Sequence, residues 1–223
     1  MKAPFAKLWA DRESLREQWR LLALAAASLI LAYVFGKVGS EVLEGEMFTV
    51  DQTVRTWMQQ RRSPVADGFF SIVTHLGAKE VLAPIAALIG WRLFRGTARL
   101  TALLAFCGLA AAEFVAILKR SFHVMRPTGG ISAGLGFSFP SGHATGSLAV
   151  AIVVSWVAFR RRTAPVIVAT LSAALVLLVA FSRLYLDMHW TSDIVGGWAV
   201  GAAFGVGCCA VYEWLDRDER GKG

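Results

Sequence analysis

Charged side chains are scarce in this sequence. Asp, Glu, Lys and Arg make up 17% of its 223 residues, against about 25% in ordinary soluble domains. Acidic residues are scarcer than basic ones, 16 against 23, leaving a net charge of +7. Cysteine is nearly missing, with three residues, which excludes a disulfide scaffold. There is no internal repeat, linker or low-complexity tail, so a single domain over residues 1–223 suffices. The 56% apolar content excludes a disordered chain. A basic excess can signal nucleic acid, but that reading needs a contiguous basic face. Here the basic residues are dispersed, so no nucleic acid is expected as a partner.

The chain has instead an abundance of long apolar runs. A membrane-spanning helix needs roughly 20 mostly apolar residues, and six stretches come close: Leu21–Lys37, Ala78–Leu93, Leu100–Leu118, Ala144–Phe159, Ala164–Phe181 and Ile194–Trp214. The second is the poorest, with Lys79 and Glu80 at its start and Pro84 inside it; Phe69–Leu76 extends it or lies along the interface. The reading is an all-α polytopic membrane bundle of six transmembrane helices. Met1–Arg20 forms a charged N-terminal segment, too acidic for a leader, and no A-x-A site follows the first run. A retained anchor is expected rather than a cleaved signal.

Six spans return both termini to one side. Lys2, Lys7, Arg12, Arg16 and Arg20 precede the first span; Arg92, Arg95 and Arg99 lie between the second and third. Arg160, Arg161 and Arg162 lie between the fourth and fifth, and Arg217, Arg220 and Lys222 follow the sixth. Fourteen of the 23 basic residues thus share the face that holds the termini, which the positive-inside rule makes cytoplasmic. The expected location is an inner, cytoplasmic-type membrane, with membrane lipids as neighbours.

Met47–Arg62 sets Phe48, Val50, Val54, Trp57 and Met58 among polar residues, the pattern of an amphipathic interfacial helix. Cys107, Cys208 and Cys209 fall inside spans as small apolar residues. Gly197, Gly201 and Gly205 recur every four residues in the last span and give it a face that another helix can approach closely.

Three polar clusters remain, and all fall on the outer side. Lys119–Pro127 leaves the third span, Phe139–Ala144 opens the fourth, and Ser182–Asp193 bridges the fifth and sixth. Lys119, Arg126 and Arg183 would bring three cations together, which repel unless an anion lies between them. A phosphoryl group suits that place, since Arg binds it through two N–H groups. Ser141 and Gly142 precede an apolar run, so their backbone N–H groups are expected at a helix N-terminus, an anion site that small Gly142 leaves open. Glycines 129, 130, 134 and 136 give the loop upstream freedom to fold over a ligand. His189 and Asp193 stand four apart, on one face if a helix begins nearby. The carboxylate would fix the imidazole tautomer and leave the other nitrogen free to attack phosphorus. His143 is placed to protonate a leaving alkoxide. Together these residues describe phosphoryl transfer through a phosphohistidine: His189 nucleophile, Asp193 its orienter, His143 the acid, and the cations stabilising the charge.

Other readings of the same residues are weaker. Two histidines and an aspartate can hold zinc, but three nearby cations repel a metal and no further ligand completes the shell, so neither metal nor cofactor is expected. Ser141 as a hydrolase nucleophile would need a G-x-S-x-G elbow, and Phe139 stands at its first glycine. His75 and His123 read as structural, and Arg61, Arg62 and Arg120 as side chains reaching for the interface.

In that order, K-x6-R-P at Lys119, Arg126 and Pro127, P-S-G-H at Pro140, Ser141, Gly142 and His143, and S-R-x5-H-x3-D at Ser182, Arg183, His189 and Asp193 resemble the three-part signature of the type 2 phosphatidic acid phosphatase superfamily, which also includes the vanadium haloperoxidases. The motif region is residues 119–193. The resemblance implies metal-independent hydrolysis of a lipid phosphate or diphosphate at the outer membrane face, with the roles given above. Substrates it brings are phosphatidic acid, phosphatidylglycerophosphate, undecaprenyl diphosphate or a lipid A phosphate; the motifs read phosphate and not the lipid. A phosphotransferase using the same site, or a non-catalytic lipid-binding protein, are the alternatives, and the oligomeric state is left open. Phe122, Phe137, Phe139, Tyr185 and Trp190 are candidates to line an opening for the lipid tails. Glu113, the one acidic residue inside the third span, is expected to support Lys119 or Arg120 through a salt link.

Overall fold

The computed structural model describes residues 3–93, 98–129 and 136–220. Among them the chain forms eight α-helices in the order α1 (Ala3–Glu44), α2 (Phe48–Gln59), α3 (Pro64–Val73), α4 (Lys79–Leu93), α5 (Ala98–Phe122), α6 (Gly142–Arg161), α7 (Pro165–Tyr185) and α8 (Thr191–Arg220), with a 3₁₀ turn at Thr74–Gly77. No strand occurs among the described residues; Met125 and Phe137 form an isolated bridge. Lys2, Arg95, Lys222, Gly130 and Gly134 lie outside the described residues, as do the side chains of Lys7, Arg12, Arg92, Arg99, Arg217 and Arg220.

Each apolar stretch read from the sequence corresponds to one helix, with Ala78 and Ala164 standing one residue before α4 and α7. By length and composition, Leu15–Glu44, Gly142–Arg161, Pro165–Tyr185 and Thr191–Leu215 can each cross a membrane. Pro64–Gly77 and Lys79–Leu88 make a fifth candidate, bent by 59°. Phe69–Leu76 therefore lies in the first arm of this bent pair, which has the shape of a broken span or a re-entrant loop. Leu100–Leu118, the remaining stretch of the six, lies in α5. The charged N-terminal segment is helical too, and α1 runs on without a break until Gly45, whose φ of 79° only glycine adopts at no cost. Ser63 caps α3 by accepting from the N–H of Ala66, with Pro64 at the first helical position.

Inside a bilayer, lipid tails are as apolar as leucine, so helices associate through close packing rather than through a hydrophobic drive. The core follows that rule. Ala149, Val150, Val153, Val154 and Val157 of α6 meet Cys208, Cys209 and Tyr212 of α8, with Leu82 and Ala86 of α4 and Leu103, Cys107 and Ala111 of α5 behind them. The three glycines of α8 form the expected close face. A Cβ at Gly197 would stand 2.7 Å from the carbonyl oxygen of Ser141, at Gly201 2.5 Å from that of Thr145, and at Gly205 2.9 Å from that of Ala149. The backbones of α6 and α8 therefore run in contact along about two turns.

The two ends of the bundle differ. At one end, buried Glu213 of α8 accepts from Arg20 of α1 and from Trp156 and Arg160 of α6. At the other, Met58 of α2 packs with Tyr185 and Leu186, alongside Phe70 and Phe181. Tyr185 Oη accepts from the N–H of Ser63 and donates to the carbonyl of Arg61. That places α2 and α3 over the end of α7, where the polar clusters lie.

Candidate active site

The site is assembled from the ends of helices. Lys119 closes α5, Arg183 closes α7, and Asp193 opens α8; His143 is the second residue of α6. Arg126 and His189 come from the segments between helices. The structure brings Lys119, Arg126, Gly142, His143, Arg183 and His189 onto the wall of one cavity of about 350 Å³.

His189 is buried, and its Nδ1 lies 2.9 Å from Asp193 Oδ2. The same oxygen accepts from the N–H of Trp190 at 2.8 Å. A carboxylate there accepts, so Nδ1 carries the proton and Nε2 keeps its lone pair. Nε2 faces Arg126 Nη1 at 3.3 Å, and Nη1 also donates to the carbonyl of Met188 at 2.7 Å. Burial, followed by the positive charges of Arg183, Lys119 and Arg126, holds the His189 imidazole well below its ordinary pKa. The ring therefore stays neutral through the range in which an exposed histidine takes up its proton.

The cations are tethered on the protein side. Lys119 Nζ donates to the carbonyl of Phe137 at 2.9 Å, and Arg183 Nη1 to Thr74 Oγ1 at 2.8 Å. Arg183 Nε and Ser141 Oγ are buried with no protein partner among the described residues. Unpartnered buried polar atoms are uncommon, and a donor set of this kind fits the oxygens of a phosphoryl group.

Ser141 differs from expectation. Its backbone N–H donates to the carbonyl of Asp193 at 2.9 Å and is not available to an anion. As the N-cap of α6 it offers its hydroxyl, while the N–H groups open to a ligand belong to the first turn that follows it. Gly142 lines the cavity, and a Cβ there would find ordinary space, 3.6 Å from Val115.

Glu113 also differs. Its carboxylate meets Lys79 of α4 at 3.4 Å, not Lys119 or Arg120. Six positions along an α-helix turn a side chain by about 240°, so Glu113 and Lys119 point to different sides of α5. Lys79, Glu80 and Glu113 line the cavity together with apolar Leu82, Ala83, Val115 and Ala116.

None of the five expected aromatics is on that wall. Phe139 is fully buried against Phe35 and Phe122, Tyr185 holds the α2–α3 connection, and Phe137 packs on His123. Trp190 donates its indole N–H to the carbonyl of Met125. The aromatics brace the loops, and the apolar side of the cavity is aliphatic, between α4, α5 and α6. Arg62 pairs with Asp67, and Arg61 lies over the Trp57 ring at 4.1 Å.

Sequence reasoning missed Thr74, the partner of Arg183, and a set of contacts from α2. Asp51 and Arg55 stand at i and i+4 with Met58 following, so two charged residues occupy the inward stripe of an amphipathic helix. Charge on an apolar stripe was the signal available. Among the described residues no group of three His, Cys, Asp or Glu is arranged to hold a metal ion.

Comparison with known proteins places this arrangement in context. The profile of the PAP2 superfamily matches residues 68–217. The chain is similar to phosphatidylglycerophosphatase B of Bacillus subtilis, 28% identical over 148 residues, which cover 63% of this chain and 72% of that protein. It is 26% identical over 143 residues to an undecaprenyl-diphosphatase of Sulfolobus acidocaldarius, covering 61% of this chain and 66% of the relative. Among solved structures, a transmembrane PAP2-type phosphatidylglycerolphosphate phosphatase from Bacillus subtilis superposes with a TM-score of 0.76 at 22% identity, covering 85% of this chain and 97% of that one. Aquifex aeolicus LpxE superposes with a TM-score of 0.55 at 21% identity, over 74% and 95%. These two show a shared fold.

Proposed function

The chain belongs to the PAP2 superfamily, and from that premise we propose that it hydrolyses the phosphomonoester or diphosphate of a membrane lipid through a phosphohistidine, without a metal or other cofactor. One observation carries the reading. A neutral, buried His189 has Nδ1 held by Asp193 and Nε2 turned toward Arg126, on the wall of a cavity that Lys119, Arg183 and His143 also line.

The chemistry follows from that geometry. His189 Nε2 attacks phosphorus and forms a P–N bond. The P–O bond to the leaving group breaks, its electron pair leaves on oxygen, and His143 supplies the proton. Asp193 stabilises the cationic ring of the intermediate. Lys119, Arg126, Arg183, the Ser141 hydroxyl and the N–H groups around Gly142 offset charge on the phosphoryl oxygens. Water, deprotonated by His143, then attacks phosphorus, and the P–N pair returns to Nε2. Each named group needs only a few kcal/mol of transition-state preference to account for an enzymatic rate.

The names of its relatives point to a phosphatidylglycerophosphate or an undecaprenyl diphosphate as substrate class. The aliphatic cavity side, Leu82, Ala83, Val115 and Ala116, supports lipid tails lying beside the phosphate. Six spans with both termini cytoplasmic fit the bundle: Arg20 and Arg160, two of the basic residues assigned to the cytoplasmic rim, meet Glu213 at the end opposite the cavity. The active site then faces the periplasm or exterior.

The test is phosphate release by purified protein in detergent with EDTA, across lipid monophosphates and diphosphates, for wild type and His189→Ala. The expected result is release by wild type with at least one lipid and a loss of about 10⁴-fold or more in His189→Ala. Activity persisting in His189→Ala would overturn the mechanism, a requirement for added metal would overturn metal independence, and transfer to an added lipid acceptor in place of water would identify a transferase.

A further inference from the structure

Helix α2 lies over the five-residue turn between α7 and α8 that carries His189. Besides the packing of Met58 on Leu186, its contacts there are polar and short. Asp51, 8% exposed, accepts from the N–H of Ser192 at 2.8 Å and from its hydroxyl at 2.7 Å. Ser192 is in the first turn of α8, so a carboxylate from another helix satisfies one of the N–H groups that a helix start leaves unpaired. Four residues along α2, Arg55 grips Asp187 with both arms, Nε to Oδ1 at 2.8 Å and Nη2 to Oδ2 at 2.9 Å. Gln59 gives the carboxylate a third donor, at Oδ2, and the Arg55 guanidinium stands 5.4 Å from the centre of the Trp190 ring.

Asp187 itself has φ 54°, the left-handed region that Asp and Asn tolerate better than other side chains. Residues 187, 190 and 192 are thus held from α2, and Met188 is held from within the site by Arg126. His189 lies at the centre of these attachments. Its own side-chain partner, Asp193, begins the helix that Asp51 caps.

We propose that Arg55 and Asp51 are positioning residues for His189, and that α2 acts as a two-point clamp fixing the direction in which Nε2 points. The proposal rests on the reading of His189 as the nucleophile. An attacking nitrogen needs a tolerance of about 0.5 Å and 10–20°, and a five-residue turn held only where it joins α7 and α8 does not keep a ring within it. Bidentate Arg–carboxylate contact supplies orientation as well as energy. The outer face of α2, with Phe48, Val50 and Trp57 exposed, makes no such contact.

The test uses full-length protein in detergent and reads kcat, KM and melting temperature for Arg55→Ala, Arg55→Lys, Asp187→Asn and Asp51→Ala, with His189→Ala beside them and Thr53→Ala as a control on the exposed face of α2. The expected outcome is a fall in kcat of about 10- to 100-fold for Arg55→Ala with KM within about twofold. Arg55→Lys recovers part of the loss, and the Arg55→Ala/Asp187→Asn double variant is no worse than its worse parent, because the two residues act through one contact. Wild-type kcat in Arg55→Ala while His189→Ala is inactive would overturn the clamp alone. A rise in KM with kcat unchanged would also overturn it, since α2 would then bear on substrate binding. If Arg55→Ala does not fold, Asp187→Asn decides: it keeps the left-handed backbone and loses the charge, and unchanged kcat sinks the proposal. Activity in His189→Ala removes the underlying reading instead.

Discussion

The backbone N–H of Ser141 donates to the carbonyl of Asp193 at 2.9 Å, fastening the residue before α6 to the first turn of α8. The residue that caps the His143 helix and the partner of His189 are therefore joined by main chain. Below that bond the two helices run in contact through Gly197, Gly201 and Gly205. The spacing of the two histidines is set by a seam that contains no catalytic side chain.

Gly201→Ala tests the seam. The added methyl would stand 2.5 Å from the carbonyl oxygen of Thr145, a backbone atom that cannot turn aside. Overpacking of this kind costs about 1–3 kcal/mol, and separating α6 from α8 moves His143 away from His189. A lower melting temperature and a lower kcat are expected together. Gly36→Ala, with nothing within 4 Å of the new atom, leaves both unchanged. Full activity in Gly201→Ala would show that the seam does not set the site.

The ionisation of His189 gives a second prediction. Burial and three cations lower its pKa, so the free base persists as pH falls through the ordinary histidine range and is lost only below it. Single-turnover labelling of the protein by a phosphorylated substrate is expected to show no loss of the nucleophile as pH falls from about 7 to 5. A tenfold loss on the acid side, centred near the ordinary imidazole pKa, would show that the ring titrates like an exposed one.

Glu113→Gln addresses the pair at the cavity mouth. Glu113 and Lys79 are 71% and 50% exposed and 3.4 Å apart, a long and open contact that includes none of the three cations of the site. The substitution is expected to change the melting temperature by no more than a few degrees and to leave Lys119 in place, with kcat within about twofold of wild type. A collapse of stability or activity would mean that Glu113 supports the phosphate-binding cations after all.

The sequence makes the large elements and the three polar clusters legible for a physical reason. Spans announce themselves by length and apolarity, and a cluster of cations at span ends stands out against that background. What it hides is pairing. Arg55 and Asp187 are 132 positions apart, and Arg55 reads as one more polar residue on an interfacial helix until α2 is seen folded over the turn. Ser141 illustrates the reverse case: a helix N-terminus is readable, but not that its first N–H is already taken by Asp193. Aromatic residues near a phosphate site suggest a lipid passage, yet Phe139, Tyr185 and Trp190 are spent on bracing loops. Aliphatic side chains form the apolar side of the cavity instead, and these are indistinguishable in sequence from any other span residue.

Glu213 ties Arg20, in the first helix, to the last, and Ser28 of α1 donates to the carbonyl of Ala203 further along the same contact. In space the chain is closed on itself: its first helix and its last are neighbours. About 150 residues separate α1 from α8 along the chain, so these contacts form only once the segments between them have been made. The helix that completes them is also the one that carries Asp193. A chain cut before α8 would therefore lose the contact with α1 and the partner of His189 together.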